Sequence, residues 1–173
     1  MIIESPDNHA TVTAAPSLTE EESAAILSDP AAMRAVIDGS GTLPPASQWI
    51  KFHRHDKFCG GVAVLNILPN PLQVEFHLFY LSTAPKYLAR IFCELAYIHA
   101  LLHRQQPYTV IRATPELQYM HNFMLRLGCK RVPNHGRYFY FLDADWKPTQ
   151  LTNFKATYRD WERSEERRVG KEC

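Results

Sequence analysis

The sequence predicts a single α/β domain on a mixed (α+β type) sheet, with elements in the order β-α-α-β-β-β-α-β-α-β-β. Three β-rich runs follow one another between residues 48 and 82 with only short turn signals between them, as in an antiparallel meander. Residues 86–104 then place Leu88, Ile91, Phe92, Leu95, Ile98, His99 and Leu102 at helical spacing, the one-sided stripe of a helix lying on a sheet. A further β-rich run, Tyr108–Ala113, follows that helix. Strand, helix and strand in succession make a crossover, and a crossover makes one parallel pair.

The elements follow from local chemistry. Residues 1–8 are polar and are expected to be disordered. Residues 9–14 alternate weakly and predict a short first strand. Ser17-Leu18-Thr19-Glu20-Glu21-Glu22 sets hydroxyl caps ahead of an acidic first turn, a helix start whose apolar side is Ala24, Ala25, Ile26 and Leu27. Asp29-Pro30 restarts a helix with proline at its first position, Met33, Val36 and Ile37 inward, and Gly39 at its end. Residues 39–45 are a loop by composition. Gln48–Arg54 leads through His55-Asp56-Lys57 into residues 58–68, and Leu68-Pro69-Asn70-Pro71 turns the chain into residues 73–82. Gly60-Gly61 marks a bulge or a close backbone approach in the middle strand. After the crossover, residues 117–127 are helical with Leu117, Met120, Met124 and Leu127 inward and Gly128 at C′. Arg137–Leu142 is the final strand, reached after Pro133-Asn134-His135-Gly136.

Composition narrows the function. A chain of 173 residues, 46% of them apolar, can fill one core without disulfides or metal. No run approaches the roughly 18 apolar residues of a membrane span, and the first residues lack the basic and apolar regions of a signal peptide. A cytoplasmic location with no membrane partner is the expectation. The formal net charge of +1 carries no basic face for nucleic acid. The cysteines are scattered without a CxxC pair, and Cys59, Cys93 and Cys129 sit in apolar runs, where a thiol acts as a small hydrophobe; neither a disulfide framework nor a zinc site is expected. His53 and His55 lack a third ligand at telling spacing, and His99 falls on an apolar stripe, so no metal is assigned. Residues 163–173 are the exception to a natural composition. One choice of codons for this string reproduces a common short-read library adapter, so the segment is read as a translated artefact and Cys173 carries no functional weight. That leaves residues 9–145 as the domain and 146–162 as an extension.

Over residues 9–145 the order of elements resembles the GNAT family of acyl-CoA-dependent N-acetyltransferases. Gly61 stands where that family often has a glycine early in its third strand. Met124-Leu125-Arg126-Leu127-Gly128-Cys129 is similar to the Tyr-x-Lys-x-Gly-Phe ending of its last helix. The resemblance implies that residues 73–82 and Tyr108–Ala113 are parallel strands that splay apart, with acetyl-CoA entering between them. It assigns the cofactor to Tyr80, Leu81 and Ser82 at the strand end and to Lys86, Tyr87, Leu88, Ala89 and Arg90 beyond it. The family's Arg/Gln-x-x-Gly-x-Gly/Ala loop is here Lys86-Tyr87-Leu88-Ala89-Arg90-Ile91. Lys86 keeps a positive charge, while Ala89 and Ile91 replace residues whose missing side chains let backbone amides close on pyrophosphate.

Glu75 and His77 lie two apart on the predicted strand, so both point to one face. The resemblance makes such a pair the candidate base for an ammonium substrate. The family's proton-donating tyrosine corresponds to Met124, which cannot donate. Two functions stay open. One is acetyl transfer from acetyl-CoA to a primary amine, borne by a small molecule or a protein. The other is a catalytically inactive GNAT-like structural or assembly protein, similar to those encoded among head and internal-virion genes of tailed phages, with virion proteins as partners.

Overall fold

In a computed structural model the described residues fold around one nine-stranded mixed sheet flanked by helices. The structure describes residues 1–33, 42–69, 72–102, 108–113, 118–134, 137–142 and 145–157. The strands are β1 (Ile2–Ser5), β2 (Ala10–Ala15), β3 (Gln48–Arg54), β4 (Lys57–Pro69), β5 (Leu72–Tyr80), β6 (Tyr108–Ala113), β7 (Lys130–Asn134), β8 (Arg137–Leu142) and β9 (Lys155–Thr157). The helices are α1 (Glu20–Leu27), α2 (Pro30–Met33), α3 (Leu88–Leu102) and α4 (Gln118–Arg126). Across the sheet the strands run β7-β8-β6-β5-β4-β3-β2-β1-β9. The β5–β6 pair is parallel and spans the α3 crossover, while the other pairs are antiparallel.

The meander holds in place and in register. His55 and Asp56 both take positive φ (48° and 63°), the geometry of a two-residue hairpin turn between β3 and β4. Just past it the β3–β4 register shifts between Phe52 and His53, the bulge expected at the glycines. Gly60 has φ of 122°, and a Cβ there would lie 2.0 Å from the Phe79 carbonyl oxygen. Only glycine fits that crossing of β4 over β5.

Residues alternate between two layers. On one face Phe52 of β3 stacks on Phe92 of α3 (4.9 Å, 11°), and Phe76 of β5 stacks on Tyr97 (5.6 Å, 21°). On the other, Trp49 meets Phe79 at 5.6 Å, and Lys51 reaches Glu22 of α1 at 2.6 Å. Helix α1 starts with the expected cap: Glu22 N–H donates to Thr19 Oγ1, and Thr19 N–H donates back to Glu22 Oε1. Leu27, assigned to its apolar side, is 45% exposed, because Ile26 alone turns fully inward in so short a helix. Val36, Ile37 and the expected helix end at Gly39 lie outside the described residues, as do Leu117 and residues 163–173.

Four expectations change. Residues 1–8 are not frayed: β1 pairs on both sides, with β2 and β9, and Ile3 is wholly buried. The strand expected at residues 9–14 is therefore the second, shifted by one residue because His9 takes the left-handed conformation (φ 53°) after a short 3-10 turn. Strand β5 stops at Tyr80 rather than 82, and α3 starts at Leu88 rather than 86, because residues 81–87 fold into turns closed by Ala84 N–H to Leu81 O and Leu88 N–H to Pro85 O. Finally, residues 146–157 are no appendage. Trp146 and Leu151 are buried, and β9 extends the sheet.

The buried positions of α3 exceed one stripe. Glu94, Ala96, Tyr97 and Ala100 are covered as well as Leu88, Phe92, Leu95, Ile98 and His99, whereas Leu102 is 47% exposed where the helix runs past the sheet. The C-terminal segment covers the second flank: Trp146 packs edge-on against Tyr97, and the Glu94 carboxylate takes hydrogen bonds from the backbone of Thr149, Gln150 and Leu151.

Candidate acyl-transfer site

The parallel pairing of β5 with β6 runs from Leu72↔Tyr108 to Glu75↔Arg112 and stops there. Strand β5 continues for five more residues, still paired with β4 as far as Gly60↔Tyr80. Along Phe76–Tyr80, therefore, no described strand covers the edge of β5 that faces away from β4. Peptide groups alternate in direction along a strand. Leu81 N–H donates to Cys59 O, on the β4 side, so the peptide groups of Leu78 and Tyr80 point the other way. Among the described strands the sheet thus parts at the carboxyl end of β5, where the resemblance requires it to open.

Glu75 and His77 stand beside the opening. Glu75 is the last β5 residue paired with β6, and His77 is the next residue on the same face. His77 Nε2 lies 3.3 Å from Glu75 Oε1, with about a third of the His77 side chain exposed (34%) and Glu75 more enclosed (17%). The two sit on the face of α1, since His77 pairs with Ala63 and Ala63 with Trp49, which shares a face of β3 with Lys51. The same face holds Glu22 against Lys51, with His53 Nε2 3.9 Å from Glu22 Oε2. Burial holds the His53 imidazole below its ordinary pKa despite Glu22 beside it. The Glu22 carboxyl is pulled up by burial, but hydrogen bonds from Lys51 and Thr19 outweigh that and leave it below its ordinary value.

The residues assigned to the cofactor divide between surface and frame. Ser82, Lys86 and Tyr87 are exposed, Tyr87 by 69%. Leu81 and Leu88 are buried and serve the core. Tyr80 turns toward α3, 6.2 Å from the Phe92 ring, and its hydroxyl donates to the Pro85 carbonyl, bracing the turn. Burial pushes that phenol well above its ordinary pKa. Ala89 N–H closes on Lys86 O at 3.3 Å. Arg90 donates to the Arg126 carbonyl and to Thr149 Oγ1, so its guanidinium is committed to joining α3, α4 and the C-terminal segment. Ile91 is partly buried against the core on the Leu88–Leu95 side of α3.

Sequence reasoning missed two carboxylates. Asp29 Oδ1 accepts from the N–H groups of Ala31 and Ala32, capping α2, while Oδ2 accepts from Ser82 N–H (2.7 Å) and Ser82 Oγ–H (2.9 Å). Burial pulls its pKa up, the bonds from Ser82, Ala32 and Ala31 pull it further down, and it sits below its ordinary value. Glu94 is the other. Asp before Pro30 was a signal for the cap, and an acid inside the run Cys93–Leu95 was a signal for a buried anchor.

Other chemistry is weak at this site. Cys59, Cys93 and Cys129 are buried, and burial pushes Cys129 up to about 12, out of the range of a nucleophile. Met124, at the position of the family tyrosine, is buried with Tyr97 Oη 4.0 Å from its sulfur. No group of three metal-ligating side chains occurs among the described residues, and no described helix is long and apolar enough to cross a membrane.

The sequence matches no protein-family model and no curated protein. Solved structures do match the fold. An acetyltransferase of the GNAT family from Bacillus anthracis superposes with a TM-score of 0.59 at 12% identity, over 84% of this chain and 99% of that one. A GCN5-related N-acetyltransferase from Brucella melitensis gives 0.56 at 13% identity, over 83% and 79%. The N-acetyltransferase PseH of Campylobacter jejuni, solved in complex with acetyl coenzyme A, gives 0.55 at 10% identity, over 78% and 98%. At such identities the likeness is one of architecture, and by that measure the chain has the GNAT acetyltransferase fold.

Proposed function

We propose that the protein is an N-acyltransferase that moves an acetyl group from acetyl-CoA to a primary amine. The observation that supports this reading most is the edge of β5 from Phe76 to Tyr80, covered by no described strand, with the Glu75–His77 pair at its root. A strand edge whose peptide groups no described strand pairs suits the amide-bearing arm of an acyl-CoA. Lys86, exposed and with no ion pair among the described residues, suits its phosphates. The fit differs from the family at the phosphate end. The Leu88 and Ala89 amides already close on Pro85 and Lys86, and the Arg90 guanidinium is engaged elsewhere. The phosphate hold thus falls mainly to Lys86 and to whatever amides remain in the turn with Tyr87.

When bound, acetyl-CoA supplies an activated thioester carbonyl; the chain supplies a base and a frame. In its neutral form an imidazole donates from one nitrogen and accepts at the other. Nε2 lies beside Glu75 Oε1, so the tautomer that carries its proton on Nε2 leaves Nδ1 to take a proton from an ammonium substrate. The Glu75 carboxylate then balances the imidazolium. With Met124 in place of the family tyrosine, the leaving thiolate is protonated by solvent.

Thermal unfolding with millimolar acetyl-CoA tests the reading. Binding at a hundred times Kd stabilises the folded chain by about 2.7 kcal/mol. A rise in midpoint, together with thiol release that needs an added amine and drops about a hundredfold in His77→Ala, is the expected result. No rise at any concentration sinks the enzyme and returns the assembly-protein reading.

A further inference from the structure

We propose that Asp29 is a positioning residue of acyl transfer, a joint that fixes the amine-side helices to the acyl-side strand end. This deepens the reading above and rests on it. Asp29 is 8% exposed and lies between α1 and α2, and its two carboxylate oxygens serve different elements. Oδ1 caps α2 through Ala31 and Ala32, and Oδ2 takes both the backbone and hydroxyl donors of Ser82.

Both partners matter. Helix α2 packs against β5, and α1 against β4, on the face from which Glu75 and His77 project. Ser82 stands in the turn that follows Tyr80, and Asp29 holds both its N–H and its hydroxyl. The carboxylate therefore fixes the chain just beyond Tyr80, next to the stretch of β5 edge that carries the peptide groups of Leu78 and Tyr80. It also holds one wall of the amine approach at a fixed distance from that edge. Reaction of two bound groups depends steeply on such spacing, and a shift of about 1 Å costs on the order of a hundredfold.

Asp29→Asn separates the two halves of the joint. An asparagine carbonyl still caps α2, since Asn and Asp are equivalent caps, but its amide nitrogen cannot accept from Ser82. Amide exchange of the variant should show Ser82 unprotected while Ala31 and Ala32 keep their protection. Its KM for the amine should rise roughly tenfold or more, while the midpoint rise given by acetyl-CoA stays positive. Unchanged amine KM with Ser82 released overturns the proposal, as does Ser82 exchange that does not respond to the substitution. If the variant loses α2 protection altogether, Ser82→Ala decides, since it keeps Asp29 and its cap and removes only the hydroxyl donor. A rise in its amine KM supports the joint and an unchanged value overturns it. Absence of any acetyl-CoA effect on the wild-type chain instead strikes the acyl-transfer reading, and the joint is then judged on the exchange of Ser82 alone.

Discussion

A carboxylate inside a hydrophobic core survives only when donors saturate it. Glu94 meets that demand with five hydrogen bonds between 2.8 and 3.3 Å, from the N–H groups of Thr149, Gln150 and Leu151 and the Thr149 hydroxyl. Removing it strands the N–H groups of Thr149, Gln150 and Leu151 at once, the last of them in a buried residue. Glu94→Ala is therefore expected to destabilise the fold by about 3 kcal/mol, seen as a fall of roughly 6–12 °C in unfolding midpoint. His53 sets a second residue-scale behaviour. Its folded pKa lies below the ordinary 6.5, chiefly through burial. Between the folded and unfolded values the unfolded chain binds a proton that the folded chain does not. Stability is then whole above pH 6.5 and is lost as pH falls below it. Glu22, also held below its ordinary value, adds a further loss only at more acid pH, on passing through its folded pKa. Urea unfolding from pH 7 to pH 5 should show the first slope in the wild-type chain and lose it in His53→Gln.

Among the elements, the first turn of α3 shows how sequence and structure part. Lys86 and Arg90 are both basic and both sit in the loop-to-helix stretch, so local chemistry gives them one role. The fold gives them two, because Arg90 faces the end of α4 while Lys86 faces outward. Which way a side chain points at a helix start depends on the tertiary neighbour, and no spacing rule encodes a carbonyl 36 residues away. Lys86→Ala should leave the unfolding midpoint in place and shrink its rise with acetyl-CoA. Arg90→Ala should lower the midpoint itself. The end of α4 was fully legible, by contrast. Gly128 adopts φ of 87° at C′, with Gly128 N–H to Leu125 O and Cys129 N–H to Met124 O closing the helix. That signal is local, and so are the α1 capping box, the His55-Asp56 turn and the Gly60 bulge, which were read at or near their places. Pro133 in β7 is consistent too, since β7 is an outermost strand of the sheet.

At the scale of the molecule, the readable part was the middle of the chain and the unreadable part its two ends. The meander, the crossover and the Glu75–His77 pair depend on short-range periodicity, and the opening after Glu75 follows from the parallel pair they create. Strand β1 and strand β9 depend on each other: each is short, Ile2 pairs with Thr157, and neither has a run long enough to announce a strand. Strand β9 has β1 as its neighbour in the sheet, while β1 lies between β2 and β9, so loss of the C-terminal strand leaves β1 as an edge. The same C-terminal stretch brings Trp146, whose Nε1–H donates to the Leu127 carbonyl at 2.6 Å, and Leu151, both buried. A chain ending at Asp145 loses the indole, the partners of Glu94, the Thr149 partner of Arg90 and the outer neighbour of β1 together. It should unfold well below the full chain or fail to fold, with β1 amides exchanging fastest. A chain ending at Glu162 keeps all of those contacts and should match the full chain in midpoint and in denaturant slope. If the chain ending at Asp145 is as stable as the full one, the coupling of the two ends is wrong and β1 must be held by β2 alone.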